Sequence, residues 1–79
     1  MAPTVLKWKG YRFFFFSREE SRPHVHVSCS DGEVKFWLDP DVTVAKNSGL
    51  SRGQVVELEK VVKEKRDEIL QAWRKHFGG

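Results

Sequence analysis

Two histidines separated by one valine, in Pro23-His24-Val25-His26-Val27, are the residues of this 79-residue chain best equipped for chemistry. Successive side chains of an extended strand alternate between faces, so both imidazoles project from one side, with Cβ atoms within about 7 Å. An ordinary imidazole changes charge near neutral pH, so such a pair can serve as general acid and base. The same spacing can supply two metal ligands, but structural zinc takes four and catalytic zinc usually three from protein. Cys29 has the opposite strand parity, Asp31 belongs to a turn, and His76 lies at the far end of the chain. The reading therefore includes no metal and no cofactor. Two further readings stand beside catalysis: a contact to nucleic acid or a partner, and the plain alternation of an amphipathic strand.

The elements that hold these residues fall into a β half and a helical half. Four strand-like segments lie within residues 4–38: Thr4 to Trp8, Tyr11 to Ser17, His24 to Cys29 and Glu33 to Leu38. Gly10 stops the first, the polar Arg18 to Pro23 segment reads as a loop, and Asp31-Gly32 is a hairpin turn signal. Asp39-Pro40 ends the fourth, because proline cannot donate to a ladder. Links this short favour an antiparallel meander. Residues 39–50 read as a connecting segment, with a short extended piece at Val42 to Val44 and turn chemistry at Asn47-Ser48-Gly49.

A helix over 52–77 follows. Ser51 is an N-cap and Gln54 completes a capping box, satisfying backbone donors that a helix start leaves orphaned. Val55, Leu58, Val62, Ile69, Trp73 and Phe77 recur at three- and four-residue steps and form one apolar stripe. The polar run Lys63 to Glu68 interrupts it, with Arg66 where the stripe should continue. One straight helix of this length would run about 39 Å, against roughly 20 Å for the strands. We expect one long helix nonetheless, with the charged run as a solvated turn. Residues 1–79 thus read as one α+β domain: an antiparallel meander of about four strands with a C-terminal helix on one face.

Parity divides the strands. Leu6, Trp8, Tyr11, Phe13, Phe15, Val25, Val27, Cys29, Val34, Phe36 and Leu38 belong on the helix side, a choice that keeps Arg12 from being buried. The other face receives Val5, Lys7, Arg12, Phe14, Phe16, His24, His26, Glu33, Lys35 and Trp37. Basic residues, two histidines and three large rings on an uncovered surface suggest a binding face. The sequence Phe13-Phe14-Phe15-Phe16 poses the question of what covers its outward rings.

Composition limits the classes. At 39% hydrophobic and 32% charged the chain sits among soluble globular proteins. No apolar run approaches the roughly 20 residues of a membrane helix, and none reads as a signal peptide. A lone cysteine, Cys29, fits a reducing cytoplasm. A net charge of +3 permits an acidic partner without requiring one.

The blocks Tyr-Arg-Phe-Phe-Phe-Phe-Ser (11–17), Pro-His-Val-His-Val (23–27), Lys-Phe-Trp-Leu-Asp-Pro (35–40) and Leu-Gln-Ala-Trp-Arg-Lys-His-Phe (70–77) resemble, in that order, the small prokaryotic proteins grouped as domain of unknown function 4160. The matched motif residues are the aromatics of the second strand and Pro23, His24 and His26 of the third. The resemblance implies a stand-alone bacterial protein, often encoded beside a second small protein in a toxin–antitoxin-like arrangement. It assigns no catalytic residue, so whether the chain is an enzyme stays open.

Two functions fit. One is a toxin–antitoxin component acting on RNA, with Phe14, Phe16 and Trp37 for base stacking, Lys7, Arg12 and Lys35 for phosphates, and His24 and His26 for cleavage. The other is a non-enzymatic module that docks the neighbouring gene's product or a second copy of itself through the same rings.

Overall fold

The computed structural model describes residues 4–15 and 22–77. Five strands form one antiparallel sheet in sequence order: β1 (Thr4–Trp8), β2 (Tyr11–Phe14), β3 (His24–Cys29), β4 (Gly32–Trp37) and β5 (Thr43–Ser48). Two helices follow, α1 (Arg52–Glu64) and α2 (Arg66–Phe77). The α+β class and the meander agree with the sequence reading. The strand count and the single helix do not.

The fifth strand lies in the segment read as a connection. It carries one large aliphatic residue, Val44, and four of its six residues are polar, so its own pattern is too weak to announce a strand. Pairing with β4 makes it one, from Glu33↔Ser48 to Trp37↔Thr43, with a bulge opposite Lys35 and Phe36. Two glycines allow this. Gly49 has φ +92°, a left-handed conformation that strains any residue with a Cβ. A Cβ on Gly32 would collide with the Ser48 carbonyl, so the β3–β4 turn and the end of β5 approach closely only because both positions lack side chains. Asn47 completes the exit: its Nδ2 donates to the Leu50 carbonyl at 3.0 Å and its Oδ1 accepts from the Leu50 N–H.

The helix starts as the capping box requires. Gln54 N–H donates to Ser51 Oγ at 3.2 Å, and Ser51 N–H donates to Gln54 Oε1 at 2.9 Å. Gln54 also ties the helix to the sheet, because its Nε2 donates to the Tyr11 hydroxyl oxygen and to the Asp31 carboxylate. The helix then breaks at Lys65, within the charged run. The longest dimension of the fold is 33 Å, shorter than the ~39 Å of a straight helix. Arg66 is not a solvated residue of that run. It is half-buried, and its Nε donates to the Leu38 carbonyl at 2.7 Å while Nη2 reaches the Pro40 carbonyl at 3.3 Å and the Asp39 carboxylate at 3.6 Å. A cation thus takes the stripe's place where the chain leaves the sheet and its carbonyls need donors.

The core lies between one sheet face and the helices. Tyr11, Phe13, Phe15, Val25, Val27, Val34, Phe36 and Leu38 meet Leu58, Val62, Ile69 and Trp73, as parity assigned them, with Leu6, Trp8 and Cys29 packed at the margin. Val42, Leu50, Val61 and Leu70 join them. Val5 is a correction. A register shift between Thr4 and Leu6 turns it from the outer face, and it packs against the core beside Leu6. Gly78, read as the helix stop, and Phe16 lie outside the described residues.

Candidate nucleic-acid interface on the outer sheet face

With both helices on one side, the other side of the sheet is assembled from strand residues of the remaining parity. Register places them in rows. Lys7 faces Arg12, Arg12 faces Ser28, Ser28 faces Glu33, and Glu33 faces Ser48. The neighbouring row runs Phe14, His26, Lys35, Lys46. The last joins His24, Trp37 and Thr43.

The histidines are not the exposed pair that their spacing suggested. His24 has no solvent exposure and His26 has 7%. Their rings meet edge to face at 5.1 Å. His24 is wedged between Trp37, 5.6 Å away, and Trp73 of α2, 5.0 Å away, and its Nδ1–H donates to the Arg22 carbonyl at 2.8 Å. An imidazole at the end of the sheet, touching a ring from each layer, is a packing residue first. His26 stacks on Phe14 at 5.5 Å and holds Nδ1 3.5 Å from the Glu33 carboxylate.

Cations cover the outward rings. The Arg12 guanidinium sits 4.8 Å from the centroid of Phe14, and Phe14 keeps only 5% exposure. Arg22 and Lys35 lie over Trp37 at 4.2 Å and 4.4 Å. Trp37 is therefore half-buried rather than open. For the described residues, the question posed by the phenylalanine run has a local answer: Phe13 and Phe15 enter the core, and Phe14 lies between an imidazole and a guanidinium. The expected cluster of exposed rings at Phe14 and Trp37 is not formed.

What the face does present is positive charge. Lys7, Arg12 and Lys46 are exposed and Lys35 is partly so. Lys7 and Arg12 are direct register partners on β1 and β2, as are Lys35 and Lys46 on β4 and β5. Like charges directly opposite each other weaken a sheet. The two pairs are separated by three strand intervals, about 14 Å. Glu33 is the one acidic residue in these rows. Sequence reading missed Lys46, whose strand had no recognisable pattern, and Arg22, which sits in a loop and is fixed by donating from Nε to the Asp39 carbonyl at 3.0 Å. Among the described residues, no group of three or more histidine, cysteine, aspartate or glutamate side chains could hold a metal ion. Nor is any helix among them long and apolar enough to cross a membrane.

Fold and face together define a small α+β domain built on one sheet, sealed by helices on one side and cationic on the other. Residues 10–74 match the family model described as domain of unknown function (DUF4160), and the chain belongs to that family. No curated protein and no solved structure matches it.

Proposed function

We propose that this protein contacts RNA through its outer sheet face and works as one component of a toxin–antitoxin-like pair, beside a protein from a neighbouring gene. The observation that carries the RNA reading is the two cross-strand cation pairs, Lys7–Arg12 and Lys35–Lys46, on a single face. Like charges set opposite one another weaken a sheet, whereas a polyanion turns both pairs into favourable contacts. Phe14 and Trp37 seat the charged heads of Arg12, Arg22 and Lys35 on the same face, so phosphate contacts rather than base stacking carry the reading. The role is binding rather than cleavage. His24 is packed between tryptophans and His26 against Phe14, so the two imidazoles do not flank an open site. The alternative interaction module has less support, since among the described residues the outward rings Phe14 and Trp37 are covered and leave little apolar area for a protein partner.

The test is fluorescence anisotropy with a single-stranded RNA over a series of salt concentrations. Four cations on phosphates should give a slope of log K against log salt of about −3. Replacing Lys7 and Arg12 with alanine together should flatten that slope by about 1.4. A slope near zero would remove RNA as the ligand. Co-expression with the neighbouring gene, read by growth and pull-down, tests the pairing.

A further inference from the structure

β1 is the first strand of the sheet, and among the described residues its outer edge has no strand beside it. An open edge presents a row of unpaired N–H and C=O groups, ready to template a further strand. Next to this edge, between β1 and α1, lies a groove of about 380 Å³. Leu6, Trp8 and Val61 supply its apolar lining, and Glu57, Lys60, Glu64 and Lys65 its charged lining. We infer that a second copy of this chain pairs its own β1 antiparallel to this one, giving a two-fold dimer with one continuous sheet. The inference does not depend on the RNA reading, because the groove lies on the helix side of the sheet.

The apolar lining is the first argument. Leu6 and Trp8 pack against the core yet remain only half-buried. A half-open tryptophan beside an open edge is the residue type that dominates interface energetics. A strand added to β1 continues the pleat and covers both side chains.

Charge is the second, and it selects the occupant. A two-fold axis perpendicular to the sheet sets the two α1 helices on the same side, running antiparallel. Residue i of one copy then meets j of the other, and j meets i. Apposition about residues 61–62 of α1 sets Glu57 against the second copy's Lys65, and Lys60 against the second copy's Glu64. The order Glu, Lys, Glu, Lys is its own complement when reversed, a match that an unrelated strand has no reason to make. Among the described residues, no ion pair within the chain engages Glu57, Lys60 or Glu64. Lys65 meets only Glu68, at 3.8 Å, an exposed pair that contributes little.

Register is the third. Lys7 is exposed on β1, and pairing centred on it would oppose two like charges. Pairing centred on Leu6 sets Lys7 against Val5 and brings the two Leu6 Cα atoms to about 4.5–5.5 Å. Five residues of strand make a short seam, so the dimer is reversible.

Sedimentation equilibrium of the full chain over a wide concentration range is the test. The mass should rise from 9.2 kDa towards twice that value. Lys60→Glu should weaken the dimer about tenfold, since the two-fold repeats the reversed contact. Adding Glu64→Lys should restore it. Both positions are exposed, so neither variant should alter the melt. A chain that stays monomeric, or a dimer indifferent to Lys60→Glu, overturns the seam.

A second arm traps the register. In a Cys29→Ser background, Leu6→Cys brings two thiols within disulfide reach across the two-fold, and mild oxidation should give a covalent dimer. Thr43→Cys, on the opposite edge strand β5, should not. Cross-linking at Thr43 alone would move the dimer to the other edge and overturn pairing through β1. None of these readouts uses RNA, so the dimer and the RNA reading can each fail alone.

Discussion

Arg66 donates from Nε to the carbonyl of Leu38 at 2.7 Å, joining the first turn of α2 to the end of the central sheet. Leu38 itself is fully buried, and its N–H donates to the Pro23 carbonyl at 3.0 Å. The bond from Arg66 therefore completes the pairing of a backbone unit that no strand neighbour serves. A hydrogen bond to a charged group contributes about 1.5–3 kcal/mol. Since the Arg66 side chain keeps 32% exposure, Arg66→Ala should cost towards the lower end of that range. Lysine should recover little, because one ammonium cannot reproduce the planar fork that spans Leu38 and Pro40. Thermal melts of Arg66→Ala and Arg66→Lys check both statements, and a lysine variant equal to wild type would refute the second.

Trp73 is the ring on which the helical layer closes. It meets Phe15 edge to face at 5.3 Å, Phe77 at 4.2 Å and His24 at 5.0 Å. Trp73→Ala should cost about 3–5 kcal/mol, a large share of the stability available to so small a domain. Circular dichroism at 25 °C should show a substantially unfolded population.

For the histidines the structure reverses the expectation drawn from spacing alone. Exposed imidazoles could be removed together without effect on the melt. His24 is buried against two tryptophans and bonded to the Arg22 carbonyl, so His24→Ala should lose about 2–3 kcal/mol. His26→Ala should cost less, because His26 keeps slight exposure and faces a half-exposed carboxylate. Urea denaturation of the two single variants separates them. Equal and negligible effects would restore the exposed reading.

Lys46→Glu sets stability against binding. It converts a like-charge register pair with Lys35 into an opposite-charge pair, a change on the order of 0.2–1 kcal/mol in favour of the fold. At about 4–8 °C per kcal/mol for a domain of this size, the melting temperature should rise measurably. RNA affinity should fall. A variant that is both more stable and equally tight on RNA would mean that Lys46 contributes nothing to the face.

Several features were legible in the residues because their causes are local. Ser51 and Gln54 lie three residues apart and bond each other, and Asp31-Gly32 turns the chain within its own hairpin. Alternation assigned Phe13, Phe15, Val25, Val27, Val34 and Phe36 to the helix side, since strand pleat fixes facing without reference to the rest of the molecule. Tertiary structure decided the remainder. β5 exists because β4 supplies its partners and Gly32 and Gly49 leave room for the approach. The helical half divides where Arg66 finds three acceptors around Leu38 to Pro40. His24 is buried because Trp73, far along the chain, is brought over it by α2. Spacing in sequence states which way a side chain points. Only packing between distant segments states what stands in front of it.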